Sequence, residues 1–177
     1  AKLQSIGAYA FAGNSALEKV TVNAEKVKYG PYVFSNCRAL QSISVNADVI
    51  PEGAFYGCTK LSDVTIGKDV NTIGATAFAR TAINGFKLAE GNISYKLSPN
   101  ADYILSLDGT TLVMVAPSVK GVFELNDSKV TTIGKGAFDE CNIKNFTADS
   151  LNQYFTAEGG VLYNKDKTAL LIYPSAN

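Results

Sequence analysis

Apolar residues recur along this chain with a spacing of 21 to 23 positions, as the residue numbers of four phenylalanines show: Phe11, Phe34, Phe55 and Phe78. Each phenylalanine follows a short stretch of small residues, such as Gly-Ala-Tyr-Ala before Phe11, and Phe138 follows the fifth such stretch. Repeats of about 20 to 50 residues are typical of solenoids, in which each repeat forms one coil. The pattern therefore predicts a stack of coils.

A second apolar pattern follows each phenylalanine. Its last two positions alternate with polar residues, which predicts a strand with one buried face. The Gly-x-x-Ala-Phe stretch is too short for an independent helix, and we expect it to form one helical turn on the opposite side of the coil. The five copies of the strand pattern are Leu17-x-x-Val20-x-Val22, Leu40-x-x-Ile43-x-Val45, Leu61-x-x-Val64-x-Ile66, Ile83-x-x-Phe86-x-Leu88 and Ile143-x-x-Phe146-x-Ala148.

A single coil of this kind cannot fold alone. It buries about five apolar side chains, worth roughly 1.5–3 kcal/mol each. Ordering its backbone costs about 1–2 kcal/mol for each of some 22 residues. Stacking joins the coils through a parallel sheet and one continuous core. We therefore expect the phenylalanines to form one buried column, consisting of Phe11, Phe34, Phe55, Phe78 and Phe138.

The second half contains a longer repeat of about sixty residues. Val70 to Phe78 recurs as Val130 to Phe138 at an offset of 60, and Leu105 to Pro117 matches Leu162 to Pro174 at an offset of 57. Each copy adds a predicted β-hairpin. The first hairpin turns at Asp108-Gly109, between residues 103–107 and 111–115, and the second pairs residues 161–163 with residues 169–173.

These observations predict a single repeat domain over residues 1–177. The coils are expected at about residues 1–28, 29–49, 50–72, 73–90 and 119–150, and the hairpin modules at about residues 91–118 and 151–177.

The repeat resembles the BspA-like, treponemal-type class of leucine-rich repeats found in bacterial surface proteins. The resemblance covers nearly the whole chain and rests on Ile-Gly-x-x-Ala-Phe-x-x-Cys-x-x-Leu-x-x-Ile-x-Val, shown most fully by Gly53 to Ile66. Gly160 to Thr168 is also similar to the interspersed hairpin of that family. The resemblance implies a leucine-rich-repeat solenoid, horseshoe-like and strand-dominated with short helical turns, with a parallel sheet on one face and two β-hairpin interruptions.

The functional expectation follows from the same resemblance. It implies a secreted or cell-surface module that mediates adhesion to host or matrix proteins or to other cell-surface macromolecules, without catalysis. No catalytic, cofactor or metal-binding residue is carried over. Asn14 and Thr81 occupy the position where other copies have cysteine, and copies four and five are one residue shorter between phenylalanine and strand.

Composition narrows the function further. The chain has no histidine, which excludes Ser-His-Asp and Cys-His catalysis and histidine-dependent metal sites. Lys plus Arg and Asp plus Glu number 16 each, so no basic field would attract nucleic acid or anionic lipid. No apolar run approaches the length needed to insert into a membrane. Asp108 and Asp166 are interpreted as turn formers rather than as catalytic carboxylates.

The three cysteines occupy equivalent positions in the coil pattern. Cys37 and Cys58 are expected to lie about 5 Å apart at their backbones in adjacent coils, within reach of a disulfide. Their parallel side-chain directions favour buried structural thiols instead. Cys141 has the same place in the fifth coil.

The solvent-facing side of the sheet is the candidate binding surface, because solenoids commonly bind ligands along repeated exposed positions. Thr and Ser also favour β-structure, so an ordinary solvated sheet face explains these residues as well. Aromatic and arginine anchors are missing from this column. It consists of Lys19, Thr21, Asn23, Ser42, Ser44, Asn46, Asp63, Thr65, Lys87, Glu124, Asn145 and Thr147.

Two other interpretations stay open on sequence grounds. A parallel β-helix acting on polysaccharide has coils of similar length, although acid–base clusters are missing. A carbohydrate-binding accessory module would need exposed aromatics, such as Tyr29, Tyr32 or Tyr56, on one strip. Neither end shows a recognisable cap, so we expect a segment of a longer surface protein, with export signal and repeats upstream and coils or an anchor downstream. The exposed end strands are candidates for end-to-end self-association.

Overall fold

The computed structural model describes residues 3–22 and 27–176. Within these ranges the regular structure consists of β-strands and turns, and none of it forms a helix that could cross a bilayer. The strands are Ser5–Ile6 (β1), Lys28–Tyr29 (β2), Ser42–Val45 (β3), Val49–Ile50 (β4), Asp63–Ile66 (β5), Thr72–Ile73 (β6), Lys87–Leu88 (β7), Tyr95–Leu97 (β8), Tyr103–Ser106 (β9), Thr111–Val115 (β10), Lys120–Leu125 (β11), Thr132–Ile133 (β12), Asn142–Ala148 (β13), Phe155–Glu158 (β14), Val161–Asn164 (β15) and Leu170–Ile172 (β16).

The strands predicted after the coil phenylalanines lie where the apolar alternation indicates. β3, β5 and β7 form a parallel sheet in which Ile43 lies beside Val64 and both are buried. The strand predicted in the first coil is wrong in extent as far as residues 17–22 are concerned, because they form one isolated bridge, between Lys19 and Ser42, in place of a strand. β11 and β13 form a second, separate parallel pair.

Each coil also has a short strand on a second side. β1, β2, β4, β6 and β12 each end five residues before a coil phenylalanine, at Ile6, Tyr29, Ile50, Ile73 and Ile133. β1 pairs with β2 and β4 with β6, in parallel. Two-residue strands are too short to show apolar alternation, so these strands could not be predicted from the sequence pattern.

The predicted helical turn is wrong. Each coil phenylalanine is flanked, two residues before and two after, by residues in the left-handed conformation, such as Tyr32 (φ 57°) and Asn36 (φ 58°) around Phe34. Left-handed residues cannot belong to a right-handed helix. This backbone conformation directs three amides of one coil at carbonyl groups of the next coil. In the second coil, the amides of Tyr32, Phe34 and Asn36 donate to the third coil, and the bond from Phe34 N to Ala54 O is 2.9 Å long. The other left-handed pairs are Tyr9 and Gly13, Gly53 and Gly57, Thr76 and Arg80, and Gly136 and Glu140.

The phenylalanine column is shorter than predicted. Phe11, Phe34, Phe55 and Phe78 stack nearly parallel, with ring centroids 5.2–5.5 Å apart. Phe11 is 40% exposed at the end of this stack, whereas the other three are buried. Phe138 is not in the stack and packs edge-on against Phe123 and Phe146 in a second core cluster. The first hairpin module separates the two clusters, because β10 occupies the place of a coil before β12.

Each inserted module has three antiparallel strands, one more than a hairpin. β8, β9 and β10 form the first and β14, β15 and β16 the second. The predicted offset of 57 for the hairpins is wrong by one residue. Ser106, Asp108 and Thr110 have the same turn hydrogen bonds as Asn164, Asp166 and Thr168, which gives an offset of 58. This shift matters because adjacent strand residues face opposite sides of a sheet.

An asparagine side chain attaches each module to the preceding coil. Asn152 is 0% exposed, and its Nδ2 donates to the carbonyls of Asp127 and Val130 at 3.3 and 3.2 Å. Its Oδ1 accepts from the amides of Tyr154 and Phe155, both at 2.8 Å. Asn92 makes the same four bonds in the first module. The side-chain amides of both asparagines are therefore fully occupied by hydrogen bonds to the backbone.

Candidate functional site

The exposed side of the β3–β5–β7 sheet carries the larger part of the predicted binding column. Ser42 lies beside Asp63, and Ser44 beside Thr65. Lys87 on β7 lies beside Thr65. Their side chains are exposed or partly exposed because the alternate residues of the same strands are buried in the core.

A shallow, open depression crosses this surface. Its volume is about 340 Å³. We call it the β3–β5 depression, and it brings together side chains from three successive coils: Lys19, Val20, Thr21, Val22, Ser42, Ile43, Ser44, Asn46, Asp63 and Thr65. The valines and Ile43 in this lining were not among the predicted site residues, since their apolar pattern marked them as core.

One ion pair crosses the surface beside the depression. Lys87 Nζ donates to Asp63 Oδ1 at 2.7 Å, and the two side chains are 63% and 51% exposed. A pair this exposed contributes at most about 1 kcal/mol to stability. Both charges therefore stay available to a ligand at little cost.

The twelve predicted residues do not form one continuous column. Glu124, Asn145 and Thr147 lie on the β11–β13 pair, where Glu124 is beside Thr147. The chain between β8 and β9 separates this pair from the other sheet, because Phe86 N donates to Ala101 O at 2.8 Å instead of to a further coil strand. Asn23 lies outside the described residues.

The tyrosines considered for carbohydrate binding do not present free ring faces on one strip. Tyr32 stacks on Tyr9 with centroids 5.3 Å apart, and its other face covers Gly53. Its hydroxyl donates to Glu52, which raises the pKa of Tyr32 above its ordinary value. Arg80 lies 5.4 Å from the Tyr56 ring centroid.

Tyr29, the third of these tyrosines, is partly buried. It packs against Phe34 at a tilted angle. Burial raises the pKa of the Tyr29 phenol, as expected for a ring held away from water.

The cysteines are free, buried thiols, as the favoured interpretation predicts. Cys58 Sγ donates to the carbonyl of Phe34 at 3.0 Å, and Cys37 Sγ donates to that of Phe11 at 3.1 Å. Burial raises the pKa of Cys58 and of Cys141 to about 12. Cys37 and Cys58 are thus small apolar side chains whose one donor is directed at a carbonyl of the preceding coil.

The exposed carboxylates of Asp108 and Asp166 accept hydrogen bonds within the hairpin turns. The pKa of Asp108 is lowered, first by the hydroxyl of Ser106 and then by the amide and hydroxyl of Thr110. Thr168 lowers the pKa of Asp166 in the same way. Among residues 3–22 and 27–176, no group of three or more metal-ligating side chains converges.

Comparison with known proteins identifies the family of this chain. A family model described as BspA type Leucine rich repeat region matches residues 1–98 and 122–164, in six copies. None of the curated proteins compared with the chain is significantly similar to it in sequence.

Solved structures resemble the chain over part of their length. A leucine rich cell surface protein from Faecalibacterium prausnitzii is 19% identical with a TM-score of 0.51, covering 82% of this chain and 51% of that one. A leucine-rich repeat protein from Eubacterium ventriosum is 27% identical with a TM-score of 0.48, covering 78% and 40%. The pneumococcal vaccine antigen PcpA is 19% identical with a TM-score of 0.37, covering 98% and 35%. The chain thus spans about a third to a half of the proteins it matches.

Proposed function

Because the chain belongs to the BspA-type leucine-rich-repeat family, we propose that it is a non-catalytic binding module that works at a bacterial surface. Its ligand in this proposal is a host or matrix protein, or another macromolecule on a cell surface. One solved protein with this fold is described as a leucine rich cell surface protein, which supports the location.

The observation that carries the proposal is the β3–β5 depression. It is broad and shallow, with hydroxyl, amide and charged groups supplied by three coils. Small-molecule sites are usually concave and largely enclosed. An open polar surface suits a protein segment laid across the strands, with hydrogen bonds to Ser44 and Thr65 and charge contacts to Lys19 and Asp63.

The composition of this surface indicates modest affinity for each contact. The column contains no aromatic or arginine residue, and such residues dominate the tightest protein interfaces. Many copies displayed on one surface compensate, because multivalent attachment raises avidity by about 10²–10⁴ without new contacts. The exposed residues Glu124, Asn145 and Thr147 form a second, smaller surface on the β11–β13 pair, and we propose it as an additional contact.

The non-catalytic part of the proposal rests on the role that the described polar groups already have. The carboxylates of Asp108 and Asp166 hold turns, and Asp63 is paired with Lys87. A reproducible turnover of glycan, ester, peptide or nucleotide that one Asp or Glu substitution abolishes would contradict it.

The binding test uses arrays of purified matrix proteins and intact host cells, probed with the 177-residue protein in monomeric and bead-displayed form. We expect binding in the bead-displayed form, and we expect the double substitution Ser44→Arg, Thr65→Arg to reduce it at least tenfold. Thr72→Arg and Thr132→Arg are the matched controls, since both are exposed threonines on a second side of the coils, Thr72 on β6 and Thr132 on β12. Equal loss in the controls, or no loss in the double variant, would show that the depression is not the binding surface.

A further inference from the structure

The parallel sheet formed by the coil strands is interrupted in the middle of the chain, and the interruption leaves a strand edge open. β7 and β11 would be neighbours in an unbroken stack, but β7 pairs with β5 and β11 pairs with β13. Among the described residues, neither strand has a further strand partner. The gap is bounded by described residues on both sides, so it belongs to the interior of the stack.

The edge of β11 that faces this gap carries backbone groups that the fold does not use. Asp149 N donates to Leu125 O, so the backbone groups of Leu125 point toward β13. Neighbouring residues of a strand direct their N–H and C=O groups to opposite edges, so those of Val122 and Glu124 point into the gap. A local bond reaches this edge, from Asn126 N to Glu124 O at 3.0 Å. Within the described chain, both groups of Val122 and the N–H of Glu124 stay available.

The chain opposite this edge, residues 98–102, forms no ladder with β11 in the part of the protein that the structure describes. Pro99 in this segment has no N–H to donate. The backbone bonds of its neighbours run elsewhere, since Ser98 N donates to Tyr103 O at 3.0 Å and Phe86 N donates to Ala101 O at 2.8 Å. A cleft of about 330 Å³ therefore lies between this segment and β11.

The cleft combines an apolar floor with acidic walls. Tyr103 and Phe123 pack edge-on at its floor, with ring centroids 5.7 Å apart. Val122 is 52% exposed beside them. Asp102 comes from the segment opposite and Glu124 from β11, so one carboxylate lies on each wall.

The electrostatic environment of Tyr103 supports a negative potential in the cleft. Burial raises the pKa of the Tyr103 phenol, and the negative charges of Asp102 and Asp127 raise it further. The lysines of the strand pair, Lys120 and Lys144, lie toward the start of β11 instead. The described part of the chain brings no three metal-ligating side chains together. The complement of this potential is therefore an organic cation, such as an arginine or lysine side chain.

We propose that this cleft binds an extended segment of a partner protein, which adds to β11 as a further strand and places an arginine or lysine side chain between Glu124 and Asp102. In strand addition, backbone hydrogen bonds give affinity and alternate side chains give specificity. A β-branched residue two positions from the cation would lie beside Val122. The inference rests on the proposed binding function and deepens it, by naming the class of ligand for the β11–β13 surface.

The probe is the blocked peptide Thr-Thr-Val-Thr-Arg-Thr-Val-Thr-Thr. It reads the same in both directions, so it offers β11 one order of side chains whether it binds parallel or antiparallel. NMR spectra of the ¹⁵N-labelled chain report binding up to millimolar peptide. We expect shifted signals and slower hydrogen exchange at the amides of Val122 and Glu124. The peptide with glutamate in place of arginine should bind at least about tenfold more weakly, because it meets like charges.

Two N-methylated peptides separate strand addition from charge attraction alone. One carries methyl groups on alternate residues from the first, and the other on alternate residues from the second. Only one of these sets of amides faces β11, because neighbouring residues of a strand point to opposite edges. One methylated peptide should therefore lose binding while the other keeps it. Equal affinity of the two would overturn strand addition.

Protein variants locate the contact. Glu124→Lys should weaken binding of the arginine peptide by about tenfold or more and strengthen binding of the glutamate peptide. Glu18→Lys is the matched control, because Glu18 is an exposed carboxylate on the first coil. The double variant Ser44→Arg, Thr65→Arg should bind the peptide normally, so the outcome at β11 is separate from the outcome at the β3–β5 depression. Thermal melts establish that each variant is folded.

Three outcomes would overturn the proposal outright. The first is an absence of change at Val122 and Glu124 at every peptide concentration. The second is equal binding of the arginine and glutamate peptides, or equal loss in the Glu18→Lys control. The third is protection of the same two amides that rises with protein concentration without peptide, since a second copy of the chain would then occupy this edge.

Discussion

Truncating Phe55 to alanine tests whether the stacked rings hold the first core together. Phe55 is 1% exposed, and its ring lies 5.5 Å from Phe34 and 5.4 Å from Phe78. Phe11 provides a matched comparison in the same stack, because it is 40% exposed and has one stacked neighbour at 5.2 Å.

The expected magnitude follows from burial. Replacing a fully buried phenylalanine by alanine costs about 3–5 kcal/mol through lost transfer energy and the cavity left behind. Phe11 loses roughly 2 kcal/mol on the same replacement, because part of its ring is already in water. Phe55→Leu keeps most of the volume and loses the two ring contacts, so a loss of about 1–2 kcal/mol is expected.

Urea unfolding followed by far-UV circular dichroism and tyrosine fluorescence measures these losses by linear extrapolation. The two signals must coincide, since terminal coils of a solenoid can unfold separately from the rest. A loss below about 1 kcal/mol for Phe55→Ala would refute the stacked-core reasoning. An equal loss for Phe11→Ala would refute the assignment of Phe11 to an open end of the stack.

Three further predictions concern single polar side chains. Asn152→Ala should lower the free energy of unfolding by at least about 2 kcal/mol, since it removes four hydrogen bonds between a buried side chain and the backbone. Gln153→Ala, at an exposed neighbour, should change it by less than about 0.5 kcal/mol in the same urea assay. Burial raises the pKa of Cys58 and of Cys141 to about 12, so neither thiol should react with a thiol reagent at pH 8 until urea exposes it. The stability that their protonated state provides is complete below the unfolded pKa of about 8.5 and falls as the pH rises toward 12. A folded protein in which all thiols react at pH 8 would contradict the burial. The pKa of Asp108, lowered by Ser106 and Thr110, should rise toward its ordinary value in Ser106→Ala, as measured by NMR titration of the carboxyl carbon; an unchanged midpoint would show that this hydroxyl is not the cause.

The sequence predicts the coil stack because its signals are periodic and redundant. Five copies of phenylalanine and of the alternating strand residues place the repeat and its buried faces, and the turn at Asp108-Gly109 places the first hairpin. The single-coil conformation was harder to predict. Small residues before Phe34 are compatible with a helical turn, and only the hydrogen bonds to the next coil explain the left-handed backbone at Tyr32 and Asn36.

The errors in the second half have a common physical cause. A local pattern does not say which segment lies between two coils, and here the first module occupies that place. Phe138 therefore joins Phe123 and Phe146 instead of the first stack. For the same reason Glu124 and Thr147 lie on a different sheet from Ser44 and Thr65. The polar residues of the candidate surface were predictable as exposed, but their grouping depended on contacts that the sequence does not encode locally.

The direction of the hydrogen bonds between coils has a mechanical consequence. These bonds run from each coil to the next, so a pulling force along the stack loads the interfaces in series, and the weakest one opens first. β11 and β13 are joined over six residue pairs. The described residues of the first coil are joined to the second over the two pairs of β1 and β2, one isolated bridge and the three amide bonds around Phe11, and Phe11 is 40% exposed where the later rings of its stack are buried. Under tension the first coil should detach before the second half yields, so that extension proceeds coil by coil and the tether lengthens before it breaks.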